Sequence, residues 1–289
     1  MRTTNLAETT AVNLKKTEKA MKLASIPGIR TVNHGGGIAA LVLALTMPVL
    51  GSENARADDD AVKILKSMSD YVAAQKAISV TYDADIEVIT NDLEKIQFTN
   101  SGALQMVRPD KIHVSRIGGY SDVELVFDGA KTNVLGHYDN VFTEVSTPGS
   151  IEQLVDRLRD EFQVAVPGAD LLMPNSFDRL MDDVIDAKHV GVGVVDGVEC
   201  EHLAFRDTDV DWQIWVEMGA HPIPHKYIIT SKHVTGAPQY TLRIKTWVAD
   251  VASADAFVFK APADAKKVDM HEMHDIDEVP SGVIAGGKK

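Results

Sequence analysis

The spacing of apolar residues changes from helical to alternating near residue 78. Between residues 58 and 75 apolar side chains recur at helical spacing, after an acidic start that suits a helix N-terminus. They are Ile64, Leu65, Met68, Tyr71 and Val72. This pattern predicts an amphipathic helix that packs one face on a sheet. From Val80 to Val88 apolar and polar residues alternate, which is typical of a strand with one buried side.

Two sets of short strands follow, separated by a helical insertion. The first set is predicted at 80–88, 96–106, 112–117, 123–127, 132–135 and 141–145, and the second at 188–195, 198–206, 210–218, 222–231 and 240–249. Asp128-Gly129 and Asp196-Gly197 are strong hairpin signals. Tight turns indicate an antiparallel sheet, and a sheet of about ten strands must curl. We therefore predict a mainly β, α+β fold, in which a curved antiparallel sheet forms an unclosed barrel covered by an N-terminal helix and a helical insertion.

The insertion, residues 150–181, carries many large apolar side chains. Ser150 and Gln153 form a capping-box pattern, and Pro167-Gly168 and Pro174 break the chain. Since apolar ligands bind in concave apolar pockets, these side chains and one Trp of the sheet are the predicted ligand-binding residues. They are Leu154, Leu158, Phe162, Leu171, Leu172, Met173, Phe177, Met181 and Trp212. The alternative interpretation is an ordinary hydrophobic core under a helical lid.

Alternation also predicts which side chains of the second strand set face inward. Trp212, Ile214 and Val216 share the more apolar face, so Trp215 must lie on the opposite face. Cys200 is the only cysteine, which excludes an intrachain disulfide. Its place on an alternating strand predicts a packed core position, with a reactive thiol as the alternative.

The first 57 residues have the order of a secretory signal peptide. A basic stretch precedes the apolar run 38–45, and Ala55-Arg56-Ala57 is a small-x-small cleavage site before Asp58. The alternative is an uncleaved N-terminal anchor. The predicted organisation is a signal peptide at 1–57, a half-barrel domain at 58–268 and a disordered tail at 269–289. Cleavage after Ala57 predicts a periplasmic protein with no permanent membrane span.

The charge balance excludes one class of partner. Residues 1–57 hold seven of the 29 basic and three of the 42 acidic side chains, which leaves a formal net charge of −17 on the remainder. Such a surface repels nucleic acid, so no nucleic-acid partner is predicted.

The residues carry no recognisable catalytic, cofactor or metal motif. There is no G-x-S-x-G elbow, and Gly191-x-Gly193 lies in a predicted strand and does not precede a helix. His271, Glu272, His274 and Asp275 cluster in the tail, where a solvated segment is a simpler interpretation than a metal site. We predict no catalytic residue, no metal and no cofactor.

Several segments carry a family resemblance. The residues are 195–205, 210–217, Pro222-Ile223-Pro224-His225-Lys226, Phe127-Asp128-Gly129 and Arg108-Pro109-Asp110. Over roughly residues 61–268 the chain resembles an uncharacterised family of predicted periplasmic proteins. That family is in turn distantly similar to the LolA/LolB-like lipoprotein-localisation carriers and outer-membrane lipoprotein-sorting proteins. The resemblance implies an unclosed barrel with a hydrophobic cavity for acyl chains.

The function that follows as an expectation is a periplasmic binding or carrier protein for a hydrophobic ligand in the cell envelope. The expected partner is the acyl chain of a lipid or lipoprotein. An alternative is a non-catalytic envelope sensor or protein-interaction module built on the same half-barrel, with an envelope protein as partner. An enzyme is the third and least supported hypothesis, because no motif indicates catalysis.

Overall fold

The computed structural model describes residues 58–250, 253–273, 276–277, 279–280 and 283, so the predicted signal peptide lies outside the described residues. One helix, α1 (Asp59–Ala74), precedes the first six strands. These are β1 (Ala77–Ile89), β2 (Lys95–Val107), β3 (Lys111–Gly118), β4 (Asp122–Phe127), β5 (Lys131–Gly136) and β6 (Val141–Ser146).

The helical insertion consists of three short pieces. They are α2 (Ile151–Asp160), a 3-10 turn (Ala169–Leu172) and α3 (Ser176–Met181). Residues 151–173 are called the lid below. Ser150 caps α2 by the predicted capping box, because its Oγ accepts from the Gln153 amide while the Gln153 side chain accepts from the Ser150 amide.

The second strand set and a short C-terminal strand complete the fold. These are β7 (Asp186–Val195), β8 (Val198–Arg206), β9 (Val210–Glu217), β10 (Pro224–Ser231), β11 (Gln239–Ala249) and β12 (Lys266–Lys267). Two further 3-10 turns are Ala254–Phe257 and Met270–Glu272.

All twelve strands form one sheet in the order β12-β6-β5-β4-β3-β2-β1-β11-β10-β9-β8-β7. Every pair of neighbours is antiparallel except β12 and β6. β1 joins the two strand sets, since it pairs with β2 on one side and β11 on the other. Within the described residues the sheet does not close, and the predicted α+β fold with an unclosed antiparallel sheet is confirmed.

Helix α1 packs its apolar stripe on the second strand set. Asp58 caps the helix by accepting from the Asp60 amide at 2.9 Å, and Leu65, Met68 and Val72 are fully buried. The helix contacts β7, β8 and β9 as well as α3. This contact buries one end of the inner sheet face and leaves the other end to the lid.

The inner face of β8, β9 and β10 is a solid aromatic core. Trp212 stacks on Phe205 with ring centroids 4.0 Å apart and meets Tyr227 edge-on at 5.8 Å. Trp212, Ile214 and Val216 are 3%, 0% and 0% exposed, in agreement with the predicted inward face. This packing fills the inner sheet face next to the cavity described below.

The C-terminal chain follows the edge of the sheet at β6. The Lys266 amide donates to the Asn140 carbonyl at 3.0 Å and the Val268 amide to the Phe142 carbonyl at 2.9 Å. Asp269 caps the turn that follows, and Met273 is 7% exposed. We call residues 266–273 the strap. The disordered tail predicted at 269–289 begins within this segment. The sequence prediction placed the boundary there because a stretch held by one cap and one buried Met shows no periodic pattern.

Candidate functional site

An apolar cavity of about 230 Å³ lies between the lid and the sheet. From the sheet it is lined by Val80, Tyr82, Leu104, Ile112, Val114, Arg116, Val123, Leu125, Val134, Pro224, Tyr240, Leu242, Ile244 and Trp247. From the lid it is lined by Leu154, Val155, Leu158, Leu171, Leu172 and the chain 164–169. Strands β1 to β5 and β11 therefore face the lid across an open space, whereas the inner face of β7, β8 and β9 is covered by α1.

Two arginine–aspartate contacts hold the lid together and join it to α3. Arg159 donates from both terminal nitrogens to the two carboxylate oxygens of Asp170, at 2.9 and 2.8 Å. Arg179 on α3 does the same with Asp156 on α2, at 3.0 and 3.2 Å. Bidentate pairs of this kind fix geometry as well as energy. They make the lid one unit that rests on the sheet.

Arg108, at the end of β2, connects this unit to α1. Its Nε donates to the Gln75 carbonyl at 3.0 Å, and its Nη2 donates to the carbonyls of Val72 at 3.3 Å and Leu172 at 2.7 Å. Burial lowers the pKa of the Arg108 guanidinium, and the charge of Glu152 acts in the opposite direction. One half-buried cation thus satisfies carbonyls of both the helix end and the lid.

Few polar groups reach the cavity. Arg116 is the one charged residue among the lining residues of the described chain, and its Nη2 donates to the Ile276 carbonyl. The indole nitrogen of Trp247 is buried and has no hydrogen-bond partner among the described residues. Apolar walls with a few placed donors are typical of small-molecule sites.

The strap closes the β3–β5 end of the cavity. Met270 and, beyond the strap, Ile276 are lining residues. A Cβ atom on Gly136 of β5 would lie 3.8 Å from the Met273 methyl, so this Met packs on the bare backbone of β5. No periodic pattern in the sequence indicates this contact.

The nine predicted ligand-binding residues divide into three groups. Leu154, Leu158, Leu171 and Leu172 line the cavity. Met173 and Trp212 are buried in the core, at 2% and 3% exposure. Phe162, Phe177 and Met181 are half-buried against the same core. The structure thus brings together the leucines of the lid and places the other five residues in packing; ligand contact by any of the nine stays a prediction.

Trp247 is a cavity residue that the sequence analysis did not single out. Tyr240, Leu242 and Ile244 alternate along β11, and Trp247 is out of phase with them. A β-bulge at Lys245 of β11, opposite the step from Thr81 to Tyr82 on β1, shifts the register, so that Val80 pairs with Trp247 and both line the cavity. Only the register of the two paired strands reveals this placement.

Three histidine–glutamate pairs lie on the sheet. His113 contacts Glu124 at 2.9 Å, His189 contacts Glu201 at 2.7 Å and His225 contacts Glu217 at 2.8 Å. Within the described residues no group of three or more His, Cys, Asp or Glu side chains could hold a metal ion. Cys200 is buried, as predicted, and burial together with the charge of Glu217 raises the pKa of its thiol to about 11.

The structure combines an open antiparallel sheet with an apolar cavity under a helical lid. The sequence matches the family described as predicted periplasmic protein (DUF2092) over residues 61–271, and the chain belongs to that family. The family resemblance of the sequence is thereby confirmed. No curated protein matches the sequence significantly.

The chain is similar to several solved structures at low sequence identity. The lipoprotein LppX of Mycobacterium tuberculosis is 13% identical, with 69% of this chain and 100% of that chain covered and a TM-score of 0.43. The MucA/MucB complex of Pseudomonas aeruginosa aligns at 14% identity over 70% and 62% of the chains, with a TM-score of 0.40. A putative outer-membrane lipoprotein-sorting domain of Vibrio parahaemolyticus aligns at 8% identity over 68% and 96%, with a TM-score of 0.31.

None of the helices in the described residues is long and apolar enough to cross a bilayer.

Proposed function

We propose that this chain is a periplasmic protein that binds a hydrophobic ligand, the acyl chain of a lipid or lipoprotein, and carries it within the cell envelope. The observation that carries the proposal is the apolar cavity of about 230 Å³ under the lid. A cavity of about 150 Å³ with apolar walls stays dry and accepts benzene. The larger cavity here has room for part of a flexible chain without any rearrangement.

The way the lid is attached supports release as well as binding. The lid contributes no strand to the sheet. Besides its apolar contacts, individual hydrogen bonds attach it to the rest of the protein, from Arg108 to Leu172, from the Ile151 amide to Pro109 and from Arg179 to Asp156. It can therefore move without breaking a ladder of backbone hydrogen bonds. Movement of this kind would admit a chain longer than the closed cavity holds.

Export to the periplasm, with cleavage after Ala57, is part of the proposal. The family description and the basic, apolar and small-x-small order of residues 1–57 support it. N-terminal sequencing of protein recovered from the periplasm tests this step, and a chain that still begins before residue 57 would contradict it.

A second candidate function is a protein-interaction module. The edge strand β7 exposes Val190, Val192 and Val194 at 56%, 62% and 66%. Exposed edge strands can add an extended segment of another chain to the sheet. Affinity purification from crosslinked envelopes separates the two functions, since a stoichiometric protein partner without bound lipid would favour the module.

The direct test of the carrier function is uptake of a fluorescent fatty acid, together with native mass spectrometry of protein purified from the periplasm. Val114→Phe places a ring inside the cavity and is expected to reduce uptake at least tenfold. Val192→Phe is the matched control, because this side chain is 62% exposed and lies outside the cavity lining. Ligand-free protein that takes up no fatty acid or lipid would overturn the proposal.

A further inference from the structure

A second cavity, of about 640 Å³, lies on the other side of the sheet from the lid. Residues of β2, β3, β5 and β6 and of the turn after β4 form its floor, and residues 254–259 form its roof. Val134 of β5 lines the apolar cavity, so its neighbour Asn133, which lines the second cavity, points to the opposite face of the sheet. We call this space the outer cavity. Its volume is typical of a small-molecule site.

The roof of the outer cavity is apolar and rests on the sheet. Phe257 is 5% exposed, and the ring of Phe259 packs on Phe142 of β6 with centroids 5.6 Å apart. Phe257, Val258 and Phe259 all line the cavity. One wall therefore offers aliphatic and aromatic surface to a ligand.

The floor carries two lysines and two carboxylates, so its formal charge sums to zero. The Nζ of Lys131 donates to Glu144 at 2.7 Å. One carboxylate oxygen of Asp128 accepts from the amides of Ala130 and Lys131, each at 2.9 Å. The one hydrogen bond of the Lys111 Nζ within the described residues is long, at 3.4 Å to the Asp128 carbonyl. The floor thus offers both donors and acceptors, and its balanced charge favours a neutral ligand over an ion.

Asn133 is the floor residue that points to a ligand. Its side chain is 3% exposed, and its Oδ1 has no hydrogen-bond partner among the described residues. A buried acceptor without a partner costs free energy, so its presence calls for an explanation. Of the side chains with such an atom in the described part of the chain, Asn133 is the one that lines the outer cavity. The last torsion of an asparagine is soft, so the carboxamide can turn to accept from a ligand in the cavity.

We propose that the outer cavity binds a neutral saccharide. The hydroxyls of a sugar ring both donate and accept, which suits the Asn133 carboxamide, the Asp128 carboxylate and the Lys111 ammonium together. The C–H face of the ring lies against the apolar roof. This inference goes beyond the binding of an acyl chain and does not depend on it, because the two cavities lie on opposite faces of the sheet and can be filled at the same time.

The test compares sugars that share a ring and differ in charge. Glucose, glucuronate, N-acetylglucosamine and glucosamine are titrated into isotope-labelled protein purified from the periplasm, and binding is followed by nuclear magnetic resonance. We expect the two neutral sugars to shift the side-chain amide of Asn133 and the backbone amides of β5 and β6 in a saturable way. Glucuronate and glucosamine should bind at least about fivefold more weakly, because each brings a charge that has to lose its water without a free counter-charge.

Asn133→Leu should weaken the binding of both neutral sugars about fivefold, the effect of one lost hydrogen bond, without lowering thermal stability, because Oδ1 has no partner to lose within the described residues. Asn100→Leu is the matched control. Asn100 on β2 is 5% exposed, its Oδ1 also has no partner among the described residues, and it lines neither cavity, so sugar binding should be unchanged. Lys111→Met removes a donor from the floor and should also weaken binding about fivefold, which keeps the site testable if Asn133→Leu does not fold.

Each outcome decides a separate point. If neither neutral sugar shifts any signal, the saccharide site is refuted, and the proposed binding of an acyl chain is unaffected. If the charged sugars bind as tightly as the neutral ones, the preference for a neutral ligand is refuted. Unchanged sugar binding in the folded variants of Asn133 and Lys111 would refute the assignment to the outer cavity. Normal binding together with a loss of stability in Asn133→Leu would show that Asn133 serves the fold instead.

Discussion

Removal of the Arg108 side chain should loosen the lid more than any other part of the protein. Arg108→Met keeps the length and apolar character of the side chain and deletes the three hydrogen bonds to Val72, Gln75 and Leu172. The Val72 carbonyl keeps a second donor, the Gln75 amide at 3.2 Å. The Leu172 carbonyl loses its 2.7 Å contact to a cation, and this contact ties the lid to the end of β2.

The size of the effect follows from the kind of bond. A hydrogen bond to a charged group contributes about 1.5–3 kcal/mol net, and 1.4 kcal/mol is about a factor of ten in an equilibrium. The lowered pKa of Arg108 shows that burial of the cation costs free energy, which offsets part of this contribution. We therefore expect the low end, an increase of about tenfold in the population of the open lid.

Hydrogen exchange measured by mass spectrometry detects this change locally. The lid amides of Val164, Ala169 and Leu171 bond to Leu158, Val166 and Gly168, so they exchange when this part of the lid opens locally, which the Arg108 contact to the neighbouring Leu172 opposes. Exchange in peptides covering 164–172 should accelerate about tenfold, while peptides of β8 change by less than twofold.

Arg157→Met is the matched control. Arg157 lies on α2 and pairs with Glu161 at 3.2 Å, an exposed contact within one helix that contributes about 0.3–0.5 kcal/mol. Equal acceleration of lid and β8 peptides in Arg108→Met would mean global destabilisation. Unchanged exchange in the lid would refute the idea that Arg108 holds it closed.

Three further predictions concern stability and reactivity. Leu65→Ala should lower the free energy of unfolding in urea by about 2–5 kcal/mol, because Leu65 is fully buried between α1 and the sheet; a loss below 1 kcal/mol would contradict this packing. Cys200 should react with iodoacetamide at pH 8 only on unfolding, because burial and Glu217 raise the pKa of its thiol to about 11; rapid labelling of folded protein would contradict this. The hydrogen bond from His113 lowers the pKa of Glu124 below its ordinary value of 4.5, so its stabilisation is complete above that pH and disappears as the pH falls through the lower folded value. Acid titration of wild type and Glu124→Gln should show their difference in unfolding free energy shrinking below pH 4.5, and a constant difference would refute the linkage.

Local patterns predict much of the fold because each strand is half-buried and each turn has its own chemistry. The alternation from Val80 to Val88 and the Asp196-Gly197 turn correspond to β1 and to the hairpin of β7 and β8. The capping box at Ser150 marks the start of α2. These signals are read within a few residues of one another, so no tertiary information is needed.

The site is harder to predict because it depends on pairing between distant strands. Trp247 reaches the cavity only through the bulge at Lys245 of β11, which depends on the pairing of β11 with β1, some 165 residues earlier in the sequence. Arg116 is an inner-face cation on a strand whose alternation is weak, and only the pairing of β3 with β2 and β4 places it in the cavity lining. Leu154 and Leu158 of the lid were predictable, since they follow a helical stripe; the cation that lines the same cavity was not.

The central claim is that the space between lid and sheet accepts an alkyl chain. Intermolecular nuclear Overhauser effects between decanoate and methyl-labelled protein test it most directly. We predict contacts from the decanoate chain to Val114, Leu125 and Leu171, which line the cavity from the sheet and from the lid. Contacts confined to surface methyls such as Val192 and Val194, with none from the cavity, would contradict the account.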